Sequence, residues 1–280
     1  MADGQNDPYE AWIGRRISRT DTVSPRLIEQ FRATLADSLV PEGVPLGLFW
    51  ALSPDALPPA DLGRDGHPQL GLILPRLPLP RRMWAGGEVL FSGAFRDGDQ
   101  VQRDSTVEAI TFKTGKTGPL GFVAVRHDYA VAGQRLVSER QDLVYRDDPV
   151  PGAQRPDYPL APDLGRPLAQ SRLLPDPVLL FRYSALTFNG HRIHYDRGYA
   201  TGTEGYEDLV VHGPMQATWM LNMAAQVLGA CPSRFTYRGV SPLTCGQPVQ
   251  VEAHRARDGG IALRVLREHG PETMTGMAWA

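Results

Sequence analysis

Residues 212–228, His-Gly-Pro-Met-Gln-Ala-Thr-Trp-Met-Leu-Asn-Met-Ala-Ala-Gln-Val-Leu, combine a glycine turn with an apolar helix. Pro214 suits the first position of that helix, because an amide there has no partner within the helix. The apolar residues that follow occupy most faces rather than one stripe, which predicts a helix buried on nearly all sides. These residues are Met215, Trp219, Leu221, Met223, Ala224 and Val227. Such a helix must be wrapped by other elements, and its neighbours in the chain have the pattern of strands.

Strand patterns, bounded by turn signals, lie on both sides of the helix. They cover 178–184, 234–240, 249–257, 261–266 and 273–279 in the second half and 89–91, 105–112, 120–129 and 136–145 in the first. The first half also has a helix over 24–35, with Ser24 as its cap and Pro25 at its first position. A helix followed by an antiparallel meander, twice, predicts an α+β fold. We expect a double hot-dog, that is, two units in which a curved antiparallel sheet wraps a central helix.

The proline-rich segment 151–177 predicts a linker between the two units. Residues 1–150 would then form a first, degenerate hot-dog unit that binds substrate. Residues 178–280 would form the second unit, which carries the polar loop described below. Residues 40–87 show no sustained period, and a loop of that length is expected to wrap another element or to serve the function.

The composition limits the kinds of function. The chain has 280 residues, 42% of them hydrophobic, and a net charge of −2, so it can build a core but shows no basic surface for nucleic acid or an anionic membrane. It has no run of about 18 apolar residues, the length that a membrane span requires. Residues 1–10 lack the apolar core of a signal peptide. Cys231 and Cys245 have no metal-binding spacing and fit a reducing compartment. We therefore expect a cytoplasmic enzyme.

A polar loop precedes the buried helix. Residues 181–196 read Phe-Arg-Tyr-Ser-Ala-Leu-Thr-Phe-Asn-Gly-His-Arg-Ile-His-Tyr-Asp, and the His212-Gly213 turn follows eighteen residues after His194. Imidazole titrates near neutral pH, so His194 is the best candidate for an acid/base group. An amide at the start of a buried helix is a fixed donor to negative charge, which makes Gly213 the oxyanion candidate. The loop therefore predicts an active site in which a proton carrier faces an oxyanion donor.

This loop resembles that of the MaoC-like, type 2 enoyl-CoA hydratase family. The family carries an aspartate, an asparagine two residues later and a histidine three further on, before a His-Gly turn. By position, Asn189 stands where the family has aspartate, His191 where it has asparagine, and His194 is the histidine. The first half is similar to the branch of mesaconyl-C4-CoA hydratase and the mitochondrial 3-hydroxyacyl-thioester dehydratase. That similarity rests on the motifs at 65–68 (Asp-Gly-His-Pro), 79–87, 112–120 and 139–146.

The resemblance implies an enzyme that adds water to the double bond of a conjugated acyl-CoA thioester, or removes it. An amide cannot take up a proton, so Asn189 would orient the water and His194 would carry the proton. His191 and Asp196 are nearby groups that could share the proton transfer, although His191 could instead support Asn189 or cap a short helix. His212 is expected to fix the turn. We predict no cofactor and no metal site, since His191, His194 and His212 have no clearly convergent carboxylate.

CoA carries phosphates, so cations are expected along the substrate path. The candidates are Arg81, Arg82, Arg182, Arg192 and Arg197, any of which could instead be a solvated surface residue. Trp84 could form a wall of the acyl pocket or pack in the core.

The sequence favours a hydro-lyase that converts mesaconyl-C4-CoA to citramalyl-CoA. A 3-hydroxyacyl-thioester dehydratase of the fatty acid type is the alternative within the same reaction class. An acyl-CoA thioesterase and a non-catalytic acyl-CoA-binding protein are the alternatives from other classes. The expected partner is an acyl-CoA thioester, without nucleic acid or membrane, and both a monomer and a homodimer fit the sequence.

Overall fold

The computed structural model describes residues 8–115, 118–149 and 156–280. Its strands are β1 Arg16–Thr22, β2 Arg81–Phe91, β3 Gln100–Gly115, β4 Gly118–Val131, β5 Gln134–Arg146, β6 Ala169–Leu173, β7 Arg234–Gly239, β8 Val249–Arg255, β9 Ile261–Arg267 and β10 Glu272–Trp279. Its α-helices are α1 Pro25–Leu35, α2 Pro177–Leu186 and α3 Gly213–Leu228. Short 3-10 turns connect these elements, and none of the helices in the described ranges is long and apolar enough to cross a bilayer.

The strands form one antiparallel sheet in the order β1-β3-β4-β5-β2-β7-β10-β9-β8-β6. Strands β1 to β5 make one half of the sheet and β6 to β10 the other, and each strand of the first half has its counterpart five numbers later. The two halves join where β2 pairs with β7, with Gly87 opposite Tyr237. This arrangement confirms the predicted α+β fold with two hot-dog units.

Helix α3 packs against the second half of the sheet. Every residue from Met215 to Ala225 is buried, and the helix contacts β7, β8, β9 and β10. The prediction of a helix buried on nearly all sides is confirmed. Asn222 of α3 accepts a hydrogen bond from the Val40 amide at 3.1 Å and donates one to the Leu46 carbonyl at 3.0 Å. These bonds tie a first-half loop to the helix.

The first half of the sheet carries no long helix among the described residues. Helix α1 packs on α2 instead, with the rings of Phe31 and Tyr183 6.5 Å apart. Only Phe31 and Leu35 of α1 are buried. Ser24 caps α1 and Pro25 is its first residue, as predicted. The face of β3, β4 and β5 that lacks a helix lines a cavity.

The strand predicted at 178–184 is wrong, because these residues belong to helix α2. Asp176 caps the helix by accepting a hydrogen bond from the Leu179 amide at 2.7 Å, and Pro177 begins it. The cap and the proline are a local helix signal that outweighs the strand-like run of apolar residues.

The segment expected as a linker contains a strand. Residues 169–173 form β6 and pair with β8 at one edge of the sheet. This pairing depends on a partner about 80 residues away in the chain, which local composition does not reveal. Residues 151–155 of the expected linker lie outside the described residues, as do Lys116 and Thr117 of the first-half motif and residues 1–7.

Candidate active site

A cavity of about 1700 Å³ lies between the two halves of the chain. Its walls come from the loop before α3, the first turn of α3, the face of β3 to β5 and the segment that leads into β2. Asn189, His191, His194 and Gly213 all line it. The structure therefore brings together the four residues that the sequence placed at the centre of the site or next to it.

Asn189 organises the loop through its side-chain oxygen. Its Oδ1 accepts a hydrogen bond from the His191 amide at 2.9 Å, and its own amide donates to the Ser184 carbonyl at 2.8 Å. The side-chain oxygen is thus engaged within the loop, whereas the NH₂ group can donate to a water in the cavity. His191 was expected either to support Asn189 or to cap a short helix. Instead, Asn189 supports His191, and the His191 ring does not cap the short helix that follows.

His194 is held in one tautomer by a backbone carbonyl. Its Nδ1 lies 2.7 Å from the carbonyl oxygen of Val210, which can only accept, so Nδ1 carries the proton. Nε2 of the neutral ring therefore has a free lone pair. Burial lowers the pKa of His194 to about 3, even though the bond to Val210 opposes the shift. The side chain is set up as a neutral base.

His212 fixes both the turn and the ring of His194. Its Nε2 lies 2.8 Å from the hydroxyl oxygen of Ser184 on α2, and the ring stacks on that of His194 with centroids 3.6 Å apart. Burial, together with the charge of His194, lowers the pKa of His212 well below its usual value. His212 is the residue that precedes α3, so it joins α2, the loop and α3 at one point.

Gly213 begins α3 and lies against Trp84 of β2. A Cβ atom at this position would lie 2.4 Å from Cε3 of the Trp84 ring, so only glycine fits there. The Gly213 amide belongs to the first turn of α3, where backbone amides have no acceptor within the helix. Trp84 lines the cavity and also stacks on Tyr237, with centroids 4.2 Å apart. Trp84 was predicted either to form a wall of the pocket or to pack in the core, and in the structure it does both.

A first-half loop completes the site. Asp65 and His67 belong to the Asp-Gly-His-Pro motif, for which no catalytic role was predicted, and His67 lines the cavity. Oδ2 of Asp65 lies 3.0 Å from Nδ1 of His67. Burial opposes ionisation of Asp65, but the hydrogen bonds and charge of His67 and the charge of Arg82 outweigh it and lower its pKa to about 2. Burial and the charge of Arg82 lower the pKa of His67 to about 4, although Asp65 raises it.

Backbone contacts lock this loop to residues 187–196, which follow α2 and are called the catalytic loop below. The Asp65 carbonyl accepts a hydrogen bond from the Arg192 amide at 2.8 Å. A Cβ at Gly66 would lie 2.0 Å from the carbonyl oxygen of Gly190, and Gly66 has a φ of +85°, so glycine is required for two reasons. The Asp-Gly-His-Pro motif and the catalytic loop are therefore held in a fixed position relative to each other. A glycine between an aspartate and a histidine was the sequence signal for this turn.

Four histidines form a file: His67, His191 and His194 line the cavity, and His212 is buried behind His194. The ring centroids of His67 and His191 are 4.2 Å apart, those of His191 and His194 5.4 Å, and those of His194 and His212 3.6 Å. Burial lowers the pKa of His191 well below its usual value. Asp65, His67 and His191 are the one group among the described residues with donor atoms close enough for a metal ion, within 4.8 Å of one another. The Asp65 carboxylate is already hydrogen-bonded to His67 and feels the positive charge of Arg82. These contacts fit a hydrogen-bonded Asp-His pair better than a set of metal ligands.

Arg81 is engaged in a buried ion pair. Its Nε donates to the Glu204 carboxylate at 2.5 Å, and Nη2 donates to the Glu204 carbonyl at 3.1 Å. The Tyr199 hydroxyl donates to the other carboxylate oxygen at 3.0 Å. Arg81 borders the cavity, but its charge is neutralised by Glu204, so it is not a free cation for a substrate.

Three of the other predicted arginines lie outside the cavity wall. Arg192 binds Asp196 through Nη2 at 2.7 Å, Arg197 binds Asp208 through Nε at 2.7 Å, and Arg182 is exposed on α2. Asp196 lies outside the cavity wall as well, because its carboxylate closes the loop on Arg192. The expectation that these arginines contact substrate and that Asp196 shares the proton transfer finds no support in their positions. Arg82 is the predicted cation that remains.

Comparison with known proteins agrees with this geometry. The family model for hydroxyacyl-thioester dehydratase type 2 matches residues 48–245. The chain is 37% identical to the mesaconyl-C4-CoA hydratase of Chloroflexus aurantiacus, and the alignment covers 96% of both chains. It is 27% identical to the mitochondrial hydroxyacyl-thioester dehydratase type 2 of Schizosaccharomyces pombe, over 85% of this chain and 90% of the relative. A Mycobacterium tuberculosis protein with a double hot-dog fold matches with a TM-score of 0.58 and 14% identity, over 95% of both chains.

The fold and the site define a double hot-dog protein with a neutral histidine base and a helix-start amide facing one cavity. Such a site can take up a proton and donate to a developing negative charge. The chain belongs to the hydroxyacyl-thioester dehydratase type 2 family. It is accordingly an enzyme of the hydro-lyase class.

Proposed function

We propose that the protein hydrates mesaconyl-C4-CoA to citramalyl-CoA. Water adds to the β carbon of the conjugated thioester, a proton adds to the α carbon, and negative charge develops on the thioester oxygen between the two steps. The relative from Chloroflexus aurantiacus carries this substrate in its name and aligns with nearly the whole chain.

Arg82 is the observation that carries this choice of substrate. In mesaconyl-C4-CoA the free carboxylate is attached to the carbon that water attacks, so its cation must lie beside the proton-transfer groups. Arg82 lines the cavity, and its charge acts on Asp65, His67 and His191. It forms no salt bridge with another residue in the described part of the chain. A straight-chain enoyl thioester has no group that needs such a cation.

The loop and the helix start divide the remaining work. Nε2 of His194 takes a proton from water, and the NH₂ group of Asn189 holds that water by donating to its oxygen. The Gly213 amide donates to the thioester oxygen as its charge grows, in a place where the helix dipole adds to the effect. The second half thus supplies the catalytic loop, and the first half supplies part of the substrate site.

A fatty-acid-type 3-hydroxyacyl-thioester dehydratase is the second candidate. The relative from Schizosaccharomyces pombe supports it, as do the apolar side chains of Val107, Val125 and Leu143 on the cavity wall, which an acyl chain could contact. A thioesterase of this fold is expected to use a carboxylate near the helix, and here Asn189 stands at that position. A binding protein without activity would not need the tautomer that Val210 imposes on His194.

The proposal includes three further expectations. The reaction needs no cofactor, because water, a base and an oxyanion donor are sufficient for it. The enzyme is expected to work in the cytoplasm, as its two unpaired cysteines suggest. Two fused hot-dog units already supply both halves of the sheet, so a monomer would be complete, and light scattering would distinguish it from a homodimer.

The substrate test compares mesaconyl-C4-CoA with crotonyl-CoA by loss of the conjugated-enoyl absorbance. We expect a preference for mesaconyl-C4-CoA and formation of citramalyl-CoA, with no free CoA thiol. Arg82→Gln should raise KM or lower kcat/KM for mesaconyl-C4-CoA by about 10²-fold, the scale of a lost charge-assisted bond of roughly 3 kcal/mol. The same change should leave crotonyl-CoA within a few fold.

Arg182→Gln is the matched control, because Arg182 is exposed on α2 and lies outside the cavity. It should leave both substrates unchanged. A wild-type preference for crotonyl-CoA or for longer acyl chains would reject the dicarboxylate and favour the fatty-acid-type enzyme. Release of free thiol without hydrated product would reject the hydro-lyase altogether.

A further inference from the structure

The site has to handle two protons at different carbons, but the family's loop carboxylate is absent from it. Asn189 cannot exchange a proton. His194 faces the cavity, yet among the described residues its ring is hydrogen-bonded only to a neutral carbonyl, that of Val210. A single imidazole would have to serve both the water and the α carbon. A second group that can hold a proton would separate the two transfers. His191, the other histidine of the loop that lines the cavity, has no carboxylate hydrogen-bonded to its ring among the described residues.

The first half places a carboxylate against a histidine at this point. Among the four histidines of the file, His67 is the one whose ring is hydrogen-bonded to a carboxylate, that of Asp65 at 3.0 Å, within the described residues. Asp65 holds the Nδ1 proton of His67, so Nε2 is left to exchange protons. The carboxylate also stabilises the imidazolium form. His67 lines the cavity, with its side chain 21% exposed, whereas His194 is almost fully buried.

The position of the pair is fixed by backbone contacts. The Asp65 carbonyl accepts from the Arg192 amide at 2.8 Å, and Gly66 lies directly against Gly190. The His67 amide also donates to Oδ1 of Asp65 at 3.1 Å, so the carboxylate is held from two sides. Proton transfer requires groups placed within a few tenths of an ångström, and a pair locked to the catalytic loop meets that condition.

We infer that Asp65 and His67 form the second acid/base group of the site, in which His67 exchanges the proton of the α carbon while His194 exchanges the proton of water. This rests on the proposed hydratase function, but not on the identity of the acyl group. The oxygen of water bonds to the β carbon and its proton passes to Nε2 of His194. With substrate on Arg82, His67 starts as the imidazolium paired with Asp65. The π electrons form the enolate, and the α carbon takes the Nε2 proton of that imidazolium, which leaves His67 neutral. Transfer from His194 to His67, through His191 or through water, restores the starting state.

The charges that face His67 decide how readily it holds that proton. Asp65 and, at a greater distance, Asp55 favour the protonated ring, whereas Arg82 opposes it. His191 packs on the ring and His194 lies beyond His191. A substrate carboxylate that binds Arg82 would neutralise its charge, so substrate binding and protonation of His67 should support each other.

The experiment separates the two protons. Hydrated thioesters, citramalyl-CoA and 3-hydroxybutyryl-CoA, are incubated in D₂O, and both elimination and deuterium uptake at the α carbon are measured. His67→Gln should lose elimination and uptake together, by about 10²–10⁴-fold, the usual scale for removal of an acid/base group. His194→Gln should lose elimination by a similar factor but retain α-deuterium uptake. Asp65→Asn should lose less, and in kcat rather than KM.

His254→Gln is the matched control, because His254 also pairs with a carboxylate, Glu252 at 2.9 Å, but lies outside the active-site cavity. It should leave both rates unchanged, and thermal unfolding of all variants checks that they are folded. If deuterium uptake at the α carbon were lost as completely in His194→Gln as in His67→Gln, one group would handle both protons. That result would overturn the inference. So would a His67→Gln effect confined to KM, which would make His67 a binding residue.

Two further outcomes are separated by the same design. A wrong acyl group would remove wild-type activity with one thioester and leave the comparison intact with the other. Failure of the proposed reaction would remove wild-type elimination from both. If EDTA abolished wild-type activity and Zn²⁺ restored it, Asp65 and His67 would be holding a metal ion, and the acid/base role would be wrong.

Discussion

At the scale of single residues, Asn189 and His194 are expected to contribute unequally to the rate. His194→Ala should lower kcat for hydration by about 10²–10⁴-fold, because it removes the base that takes the proton of water. Asn189→Ala should lower kcat less, because water can still be held in part by the cavity. The two rates are measured with saturating enoyl-CoA, and folding is checked by circular dichroism. If Asn189→Ala were much the worse of the two, the roles would have to be exchanged.

The pH dependence of kcat/KM tests the state of His194. Burial lowers its pKa to about 3, so the neutral base is present above that pH and is lost only as the pH falls towards it. No acid limb from His194 is therefore expected between pH 5 and 8. Asn189→Asp adds a negative charge beside the file of histidines, which raises their pKa and should move the acid limb to higher pH. An acid limb at about 6.5 in the wild type would contradict the buried, neutral assignment.

At the scale of elements, the start of α3 depends on its contact with β2. Gly213→Ala would place Cβ 2.4 Å from the Trp84 ring, so helix and strand would have to move apart. We expect a loss of about 1–3 kcal/mol in the free energy of unfolding, the usual cost of overpacking. Hydration should also slow, because the oxyanion donor moves with the helix. Denaturant unfolding measures the first effect and kcat the second.

Gly202→Ala is the control for this change. Nothing lies within 4 Å of a Cβ at Gly202, and its backbone has no positive φ that would strain an alanine. Its free energy of unfolding should stay within about 0.5 kcal/mol of the wild type, as for most substitutions without a specific mechanism. Equal losses in the two variants would show that the Trp84 contact is not what requires glycine at 213.

At the scale of the whole molecule, one sheet joins the two hot-dog units and a buried carboxyl lies at the join. Glu139 of β5 accepts hydrogen bonds from the Tyr237 hydroxyl at 2.6 Å and the Trp50 indole at 2.8 Å. Gln141 donates to its other oxygen at 3.0 Å. Burial raises the pKa of Glu139 although these bonds oppose the shift. Residues from β5, β7 and a first-half turn thus meet at a single side chain.

Glu139→Gln tests this join through the pH dependence of stability. The pKa of the native state lies above that of the unfolded chain, so the native state keeps the proton where the unfolded chain has lost it. The free energy of unfolding should therefore fall as the pH rises above the ordinary value of 4.5. Glu139→Gln should reduce that fall, as measured by urea unfolding from pH 4 to pH 8. Glu268→Gln, at an exposed ion pair with Arg172, is the control and should not change it.

Local signals explain what could be predicted from the sequence. The apolar run after Pro214 gave α3 correctly, because burial on all faces appears directly in the residue types. The loop at 181–196 gave Asn189 and His194, since residue chemistry and spacing are local. The strand predicted at 178–184 is wrong because the cap at Asp176 and the proline after it start a helix there, whatever the apolar run favours. The strand at 169–173 depends on pairing with β8, which no local pattern contains.

The sequence was enough to predict an α+β chain with a buried helix after Pro214, and a site that contains both His194 and Gly213. Both follow from periodicity and residue type, which act over short stretches of chain. Only the tertiary structure shows that His67, held by Asp65, lines the cavity, and that Arg82 lines it without a salt bridge among the described residues. These side chains lie more than 100 residues before Asn189 in the chain. Contacts such as the Asp65 carbonyl with the Arg192 amide, and Gly66 against Gly190, bring the first-half loop to the site.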